Sequence, residues 1–206
     1  MVASGNLRVT LTVPPDRKRE LLELLQQRPG LYTEIEINDP DAAPYPNLNI
    51  FISYRRADSG DICGRMYDRL ARAFGERSVF WDVRTMPDAQ DFREVVKREV
   101  AACDLLLVVM GKSWDNKPRL TSLNASPNED YVRLEIETAL QHGVSIIPIW
   151  VQGRKRMPSK KALPESLHDL VYLTARQVRP DPDFHADMDD LIRRIKAVLG
   201  LDAPTL

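Results

Sequence analysis

Short, wholly apolar runs recur along the chain from residue 50 onward, separated by segments that have the period of a helix. Such runs are typical of parallel strands buried on both faces, because a half-exposed strand alternates apolar and polar residues instead. The alternation with helices predicts an α/β fold in which helices cover both faces of a parallel sheet. The predicted strands are Ile50–Ile52, Val79–Trp81, Leu105–Met110, Ile146–Val151 and Leu170–Leu173, with a closing helix from about residue 183 to 199.

The first 45 residues follow a different pattern. Leu7–Val13 and Leu31–Ile37 alternate apolar and polar residues, and a leucine stripe at residues 16–28 lies between them. This pattern predicts a small strand–helix–strand (βαβ) module, joined to the rest by the proline-rich segment 38–47. Because so few elements cannot enclose a sufficient core, we expect the module to dock on the main domain, a second copy or another protein. The predicted organisation is a docking or assembly module at 1–45, a main domain at 46–200 and a tail at 201–206.

The charge balance and composition exclude several kinds of partner. Lys+Arg 29 against Asp+Glu 30 gives a net charge of -1, so we expect no direct binding to nucleic acid or to an anionic membrane. No apolar run approaches the roughly 20 residues that span a bilayer, and the start lacks the pattern of a signal peptide, which favours a cytoplasmic location. Cys63 and Cys103 have no metal-ligand spacing, so we interpret them as small buried side chains and predict no metal site.

Polar and aromatic residues follow three of the predicted strands. Parallel sheets bind ligands beyond the carboxyl ends of their strands, near the point where strand order reverses. Arginine forks that grip oxygen anions, and a ring that stacks on a base, suit a phosphate-bearing nucleotide, although neither a dinucleotide fingerprint nor a P-loop is present. A structural alternative is that the arginines pair with surface acids. The candidate residues are Ser53, Tyr54, Arg55 and Arg56 after the first strand, Asp82 and the loop 83–91 after the second, and Ser113 and Trp114 after the third.

A capping box at residues 126–129, "SPNE", predicts where the next helix begins. Tyr131 and Glu135 form a stripe at the edge of its buried face, so the carboxylate is expected to face the strand ends. Glu137, two positions further on, is interpreted as an ordinary solvated glutamate. A carboxylate beside an aromatic ring can bind ribose hydroxyls and stabilise positive charge as an N-glycosidic bond breaks.

Two further features carry weaker signals. His142 lies near the end of this helix, where the helix dipole favours a cation, so a structural role is expected. The basic segment 154–161, "RKRMPSKK", is interpreted as a solvated loop, with contact to a phosphate group left open as the alternative.

Five segments of the main domain, in the family's order, together resemble the TIR (Toll/interleukin receptor) domain. The resemblance implies a flavodoxin-like five-stranded parallel sheet and equates the loop 83–91 with the mobile BB loop of the family. The segments are "FISYRR" at 51–56, "VFWDVRTMPDAQDF" at 79–92, "CDLLLVVMGKSW" at 103–114, "DYVRLEIETAL" at 130–140 and "SIIPIWV" at 145–151.

Enzymatic members of this family cleave NAD to nicotinamide and ADP-ribose or a cyclic isomer, using a helical glutamate. The resemblance implies that Glu135 is the catalytic residue and that NAD is the substrate, with no further cofactor. The family's motif is often Trp-x-x-x-Glu, and Tyr131 stands here at the position of the tryptophan. The "SYRR" string implies that Ser53, Arg55 and Arg56 are pocket residues.

The resemblance also implies self-association through the TIR domain and its BB loop, in a defence protein of the bacterial type whose activity depends on assembly. Residues 1–45 would then bring copies together or bind a sensor or partner protein. The alternative is a non-catalytic scaffold that binds other TIR domains. Tyr131 in place of tryptophan favours this alternative, as does Pro87-Asp88-Ala89 in place of the usual Pro-Gly of the BB loop.

Overall fold

The computed structural model describes residues 8–12, 34–38, 45–81, 91–115 and 131–201. By its internal contacts the chain divides into two units, residues 1–44 and residues 45–206. Within the described ranges, no helix is both long and apolar enough to cross a membrane. Several predicted features lie wholly or partly outside these ranges: the helix at 16–28, residues 39–44 of the proline-rich segment, Asp82, residues 83–90 of the BB loop, the capping box at 126–129 and residues 202–206 of the tail.

The first unit contains a pair of parallel strands. Strand β1 (Arg8–Thr12) pairs with β2 (Glu34–Asn38), and the register runs from Arg8 opposite Glu34 to Thr12 opposite Asn38. A parallel pair needs a crossover of a dozen or more residues, and the chain between the two strands is long enough to supply one. Both strands fall within or close to the segments in which the sequence alternates, although β2 begins later than Leu31.

The second unit begins with strand β3 and alternates strands with helices. Three 3₁₀ segments, Glu76–Ser78, Lys160–Ala162 and Glu165–Tyr172, complete its regular structure as described. Its strands and helices are β3 (Ile50–Tyr54), α1 (Arg56–Phe74), β4 (Val79–Phe80), α2 (Phe92–Ala101), β5 (Leu105–Met110), α3 (Tyr131–His142), β6 (Ser145–Trp150), β7 (Arg176–Gln177) and α4 (Phe184–Val198).

The five strands of this unit form one parallel sheet in the order β4-β3-β5-β6-β7. Counted from the first strand of the unit, this is the order 2-1-3-4-5 of the flavodoxin-like fold, so that prediction is confirmed. The order reverses between β3 and β5, where Ser53 lies opposite Val108 and Tyr54 opposite Val109. The carboxyl ends of these two strands therefore form the crevice in which such folds bind ligands.

Helices cover both faces of the sheet, each over its own apolar core. Successive residues of a strand point to opposite faces, so Ile50 and Ile52 pack with α1 and α4, whereas Phe51 packs with α2 and α3. All six side chains of β5 are fully buried in the same alternation. This two-sided burial is the physical reason that the strands read as continuous apolar runs.

The fifth strand is not where the sequence predicts it, and the prediction of a strand at Leu170–Leu173 was wrong. That segment belongs largely to the 3₁₀ segment Glu165–Tyr172, and the edge strand β7 is Arg176–Gln177. Leu167 and Leu170 are fully buried and three positions apart, which is the spacing that places two side chains on one side of a 3₁₀ helix. The apolar residues of this segment therefore belong to a 3₁₀ helix, and β7 is too short and polar to produce an apolar run.

Candidate functional site

A buried pair of polar side chains lies beside the crevice between β3 and β5. The Ser53 hydroxyl donates a hydrogen bond of 2.5 Å to an oxygen of the Glu135 carboxylate. Ser53 is 1% exposed and Glu135 is 9% exposed, so both groups are almost wholly removed from bulk water. A charged group is rarely buried to this extent without a specific role or partner, which makes the pair the centre of the candidate site.

The packing of α3 turns Glu135 inward. Val132 and Ala139, which are three positions before Glu135 and four after it, are both buried in the core beneath the helix, as is Ile136. Residues three and four apart share a helical face, so Glu135 must point in the same direction as these apolar neighbours. Ser53 meets it because Phe51, two positions earlier on β3, packs in the same core and residues two apart in a strand share a face.

Arg55 and Trp114 form a second buried contact at the same edge of the sheet. The Arg55 guanidinium carbon lies 5.9 Å from the centroid of the Trp114 ring, within the range of a cation–π interaction. Arg55 is 6% exposed, and Trp114 has no exposed surface at all. The expectation that Trp114 stacks on a ligand base is therefore corrected, because its ring is enclosed by the core and instead supports Arg55.

Asp58 organises the strand end, and the sequence analysis did not single it out. Its two carboxylate oxygens accept hydrogen bonds from the backbone N–H groups of Gly111, at 2.7 Å, and Ser113, at 2.8 Å. A Cβ atom on Gly111 would lie 2.6 Å from both oxygens, so only glycine fits. Asp58 lies in the first turn of α1, directly after β3, and an acid at a helix start in that place is the one signal that points to it.

An aromatic stack lies on the other face of the sheet. Tyr54 stacks on Trp81 with ring centroids 5.9 Å apart, and Trp81 stacks on Tyr67 at 5.4 Å. All three rings pack against the core beneath α1, whereas the Ser53 and Glu135 pair lies on the side of α3. The sheet therefore separates Tyr54 from the Glu135 carboxylate.

The last residue of the predicted BB loop, Asp91, caps helix α2. Its carboxylate accepts a hydrogen bond of 3.0 Å from the backbone N–H of Arg93 and two more from the Arg93 guanidinium. These hydrogen bonds hold the pKa of Asp91 below its usual range. An N-cap of this kind fixes where the loop ends and the helix begins.

Two residues of α3 have structural partners. Glu137 forms an ion pair of 2.7 Å with Arg133 and accepts a hydrogen bond from the Ser166 hydroxyl, so the interpretation of a merely solvated side chain was wrong. The helical spacing from Arg133 and the nearby 3₁₀ segment explain this. A ring nitrogen of His142 lies 2.9 Å from the Thr138 carbonyl oxygen, one of the last in the helix, which is a structural contact.

A sequence model of the TIR domain matches residues 50–192, more than half of the chain. The chain belongs to the TIR domain family. The match begins at the first residue of β3 and ends within α4, so it includes the whole five-stranded sheet of the TIR domain. The predicted family is thereby confirmed.

Two solved structures align with this TIR domain at low sequence identity, and the fold likeness rests on the one with the higher TM-score. The TIR domains of the activated Roq1 resistosome, which directly recognises the pathogen effector XopQ, align with a TM-score of 0.50 and 10% identity, over 73% of this chain and 98% of that chain. The CMP N-glycosidase BcmB of Clostridium botulinum aligns with a TM-score of 0.38 and 13% identity, over 72% of this chain and 98% of that chain. No curated protein matches the sequence significantly.

The TIR fold brings some of the predicted site residues together and leaves others apart. Ser53 meets Glu135, and Arg55 lies over Trp114. Ser113 contributes its backbone N–H to Asp58, and its side chain is exposed. Among the described residues, no cluster of three His, Cys, Asp or Glu side chains forms a metal site. Of the remaining predicted residues, Tyr131 is half-buried one turn before Glu135, Arg56 is exposed, and Asp82 lies outside the described ranges.

Proposed function

We propose that this TIR domain cleaves the N-glycosidic bond between nicotinamide and ribose in NAD. The observation that carries the proposal is the buried Glu135 carboxylate, held by Ser53 beside the point where strand order reverses. Folds with this strand order bind ligands at that point. A carboxylate in a nearly dry site interacts with positive charge far more strongly than it would in water, and this reaction generates positive charge on the sugar.

The chemistry requires few groups. When the bond between C1′ of the ribose and the pyridinium nitrogen breaks, its electron pair leaves with nicotinamide, which departs as a neutral molecule without a general acid. The ribose is left as an oxocarbenium-like cation, and Glu135 stabilises it and accepts hydrogen bonds from the sugar hydroxyls. Ser53 orients the carboxylate, while Arg55, supported by the Trp114 ring, supplies fixed positive charge for the diphosphate.

The second half of the reaction determines the product. If water attacks C1′ and loses a proton, the product is linear ADP-ribose. If a nitrogen of the adenine attacks the same carbon, the product is a cyclic isomer. The proposal includes both outcomes, because both need the same stabilised cation.

The proposal includes assembly and context, which rest on membership of the TIR family. Copies of the chain associate through the TIR domain and its BB loop, and residues 1–45 bring copies together or bind a sensor protein. We place this activity in the cytoplasm of a prokaryotic cell, within an immune response, with NAD as the substrate and no other cofactor.

The test compares two glutamates of the same helix. Concentrated full-length protein is incubated with NAD, and nicotinamide is quantified by liquid chromatography for wild type, Glu135→Gln and Glu137→Gln. Glu137 is the matched control because its carboxylate is bonded to Arg133 and Ser166 and not to Ser53. We expect Glu135→Gln to release nicotinamide at least about a hundredfold more slowly, the loss typical of removing an electrostatic stabiliser, and Glu137→Gln to keep the wild-type rate.

Equal release from wild type and Glu135→Gln would contradict the assignment. The non-catalytic scaffold makes a different prediction: no nicotinamide release at any protein concentration and no rise in melting temperature with an NAD analogue. A ligand that binds only the folded state must raise that temperature, so the melting measurement separates a scaffold from an enzyme that lacks its activating signal.

A further inference from the structure

A cavity lies beyond the ends of β5 and β6. Its volume is about 800 Å³, and it is lined by Lys112, Asp115 and residues 153–159. A cavity of this size holds a small organic ligand. It shares no lining residue with the candidate site at Ser53, Arg55 and Glu135.

One wall of this cavity is fixed by Arg154. Its guanidinium forms two parallel hydrogen bonds of 3.1 Å to the two carboxylate oxygens of Asp115, and donates at 3.0 Å to the carbonyl oxygens of Gly111 and Arg156. Arg154 is 8% exposed, so its positive charge is neutralised within the wall by Asp115. The same hydrogen bonds hold the pKa of Asp115 below its usual range, which keeps this carboxylate ionised and committed to Arg154.

A tight turn shapes the floor. Gln152 and Gly153 both have positive φ angles, 52° and 79°, and the Arg154 N–H donates to the Val151 carbonyl oxygen at 3.0 Å. A Cβ atom on Gly153 would lie 3.4 Å from Cε and 3.9 Å from Nζ of Lys112, so the lysine side chain lies across the glycine. Gly153 is thus favoured by its backbone conformation, and Lys112 packs against it at ordinary contact distance.

The remaining charged residues in the described part of the lining are all positive. Lys112, Lys155 and Arg156 have exposed side chains, and none of them forms an ion pair with an acidic residue in the parts of the chain that the structure describes. Because Asp115 and Arg154 neutralise each other, these three cations give the described part of the lining a net positive charge. The basic segment 154–161, interpreted from sequence as a solvated loop, contributes two of them to a concave site.

We propose that this cavity binds a small ligand that carries a diphosphate group and is distinct from the dinucleotide that the proposed function assigns to the site of Glu135. Two lysines and an arginine around a concave surface match the charge of a diphosphate, and arginine suits phosphate oxygens because its donors form a rigid fork. The hydrogen bonds of Arg154 and the turn at Gln152–Gly153 fix the backbone that carries Lys155 and Arg156 before the ligand arrives, which lowers the entropy lost on binding. The small volume favours a free small molecule over a nucleic acid or a lipid surface.

The binding test uses two charge-matched double variants of the same basic segment. Full-length protein is titrated calorimetrically with inorganic pyrophosphate at constant ionic strength, as wild type, as Lys155→Gln/Arg156→Gln and as Lys160→Gln/Lys161→Gln. The second pair is exposed and outside the cavity lining, and its substitution removes the same charge. We expect saturable binding to wild type and to the control, with affinity lower by about tenfold or more in Lys155→Gln/Arg156→Gln, since charge-assisted hydrogen bonds are lost.

Absence of saturable binding to wild type, or equal weakening in both double variants, would overturn the proposal. A further titration distinguishes the two sources of a diphosphate: the Glu135→Gln protein is titrated with pyrophosphate in the presence and absence of saturating NAD. Unchanged affinity supports a separate ligand, whereas competition would make the cavity part of the dinucleotide site and refute its independence. None of these measurements requires NAD cleavage. The proposed cavity can therefore fail its test while the proposed function stands, and NAD cleavage can fail its test while the cavity still binds pyrophosphate.

Discussion

Replacing Gly111 with alanine tests the role of Asp58 at the strand end. The added methyl group would lie 2.6 Å from both Asp58 oxygens, which is too close for any stable arrangement. The carboxylate cannot withdraw without giving up its hydrogen bonds to the N–H groups of Gly111 and Ser113. Hydrogen bonds to a charged group contribute about 1.5–3 kcal/mol each, so losing both predicts a destabilisation of about 3–6 kcal/mol.

Tryptophan fluorescence during urea unfolding measures this cost in the right part of the protein. All three tryptophans, Trp81, Trp114 and Trp150, lie in the unit formed by residues 45–206, so their emission reports the unfolding of the TIR domain. The matched control is Gly64→Ala in helix α1, where the nearest atom to the added methyl group, on the Trp81 ring, is 3.8 Å away. That substitution is expected to stabilise by about 0.5–1 kcal/mol, because alanine loses less backbone entropy than glycine in a helix.

A double-mutant cycle decides whether the methyl–carboxylate contact is the cause. In Asp58→Ala the oxygens are absent, so adding Gly111→Ala to this background should cost little. The coupling between the two substitutions is expected to be about 3 kcal/mol or more, well above the few tenths seen for independent sites. The reasoning is refuted if Gly111→Ala costs less than about 1 kcal/mol, or if the two substitutions are additive.

Three further predictions concern buried and paired groups. Because its hydrogen bonds to Arg154 lower the pKa of Asp115, the pair stabilises the fold above about pH 4 and loses this contribution as pH falls through the folded-state pKa. The melting temperature should therefore fall less on acidification in Asp115→Asn than in wild type, and equal falls in the two proteins would contradict this. Burial raises the pKa of both Cys63 and Cys103 to about 12, so neither thiol should react with a disulfide reagent at pH 8 until urea unfolds the protein. Rapid labelling of the native protein would show that these thiols are not buried. Ser53→Ala should lower kcat for nicotinamide release by about tenfold with little change in KM, whereas Ser53→Thr should keep most of the activity because it keeps the hydroxyl. An effect on KM alone would show that the hydroxyl binds substrate and does not orient the carboxylate.

The local sequence pattern is enough to predict most of this fold, because strands that are buried on both faces have continuous apolar sequences. β5 reads LLLVVM and is buried at every position, so its apolar run identifies it without reference to the rest of the chain. β7 cannot be recognised in this way, because its two residues are polar and too few to show a periodic pattern. The apolar residues before it were assigned to a strand because a short apolar run does not distinguish a strand from a 3₁₀ turn.

The candidate site is predictable only to the extent that its residues lie on regular elements. The direction of Glu135 follows from the apolar residues three and four positions away in the same helix, and any chain with this pattern would turn that position toward the sheet. The contact between Asp58 and Gly111 joins residues 53 positions apart, and no local pattern records which backbone amide a carboxylate will meet. Trp114 shows the same limit, because a ring after a strand end is equally compatible with a ligand contact and with the core.

The same limit explains why the basic segment could not be assigned from sequence. Its cations become a site only because the chain turns back at Gln152–Gly153 and Arg154 is bonded across to Asp115, which follows a different strand. Gly111 also connects the candidate site to the cavity: its N–H donates a hydrogen bond to Asp58, and its carbonyl oxygen accepts one from Arg154. Gly111, directly after β5, therefore contacts a residue that follows β3 and a residue that follows β6. A substitution there that displaces Asp58 should also weaken pyrophosphate binding, whereas Gly64→Ala should leave the affinity at its wild-type value.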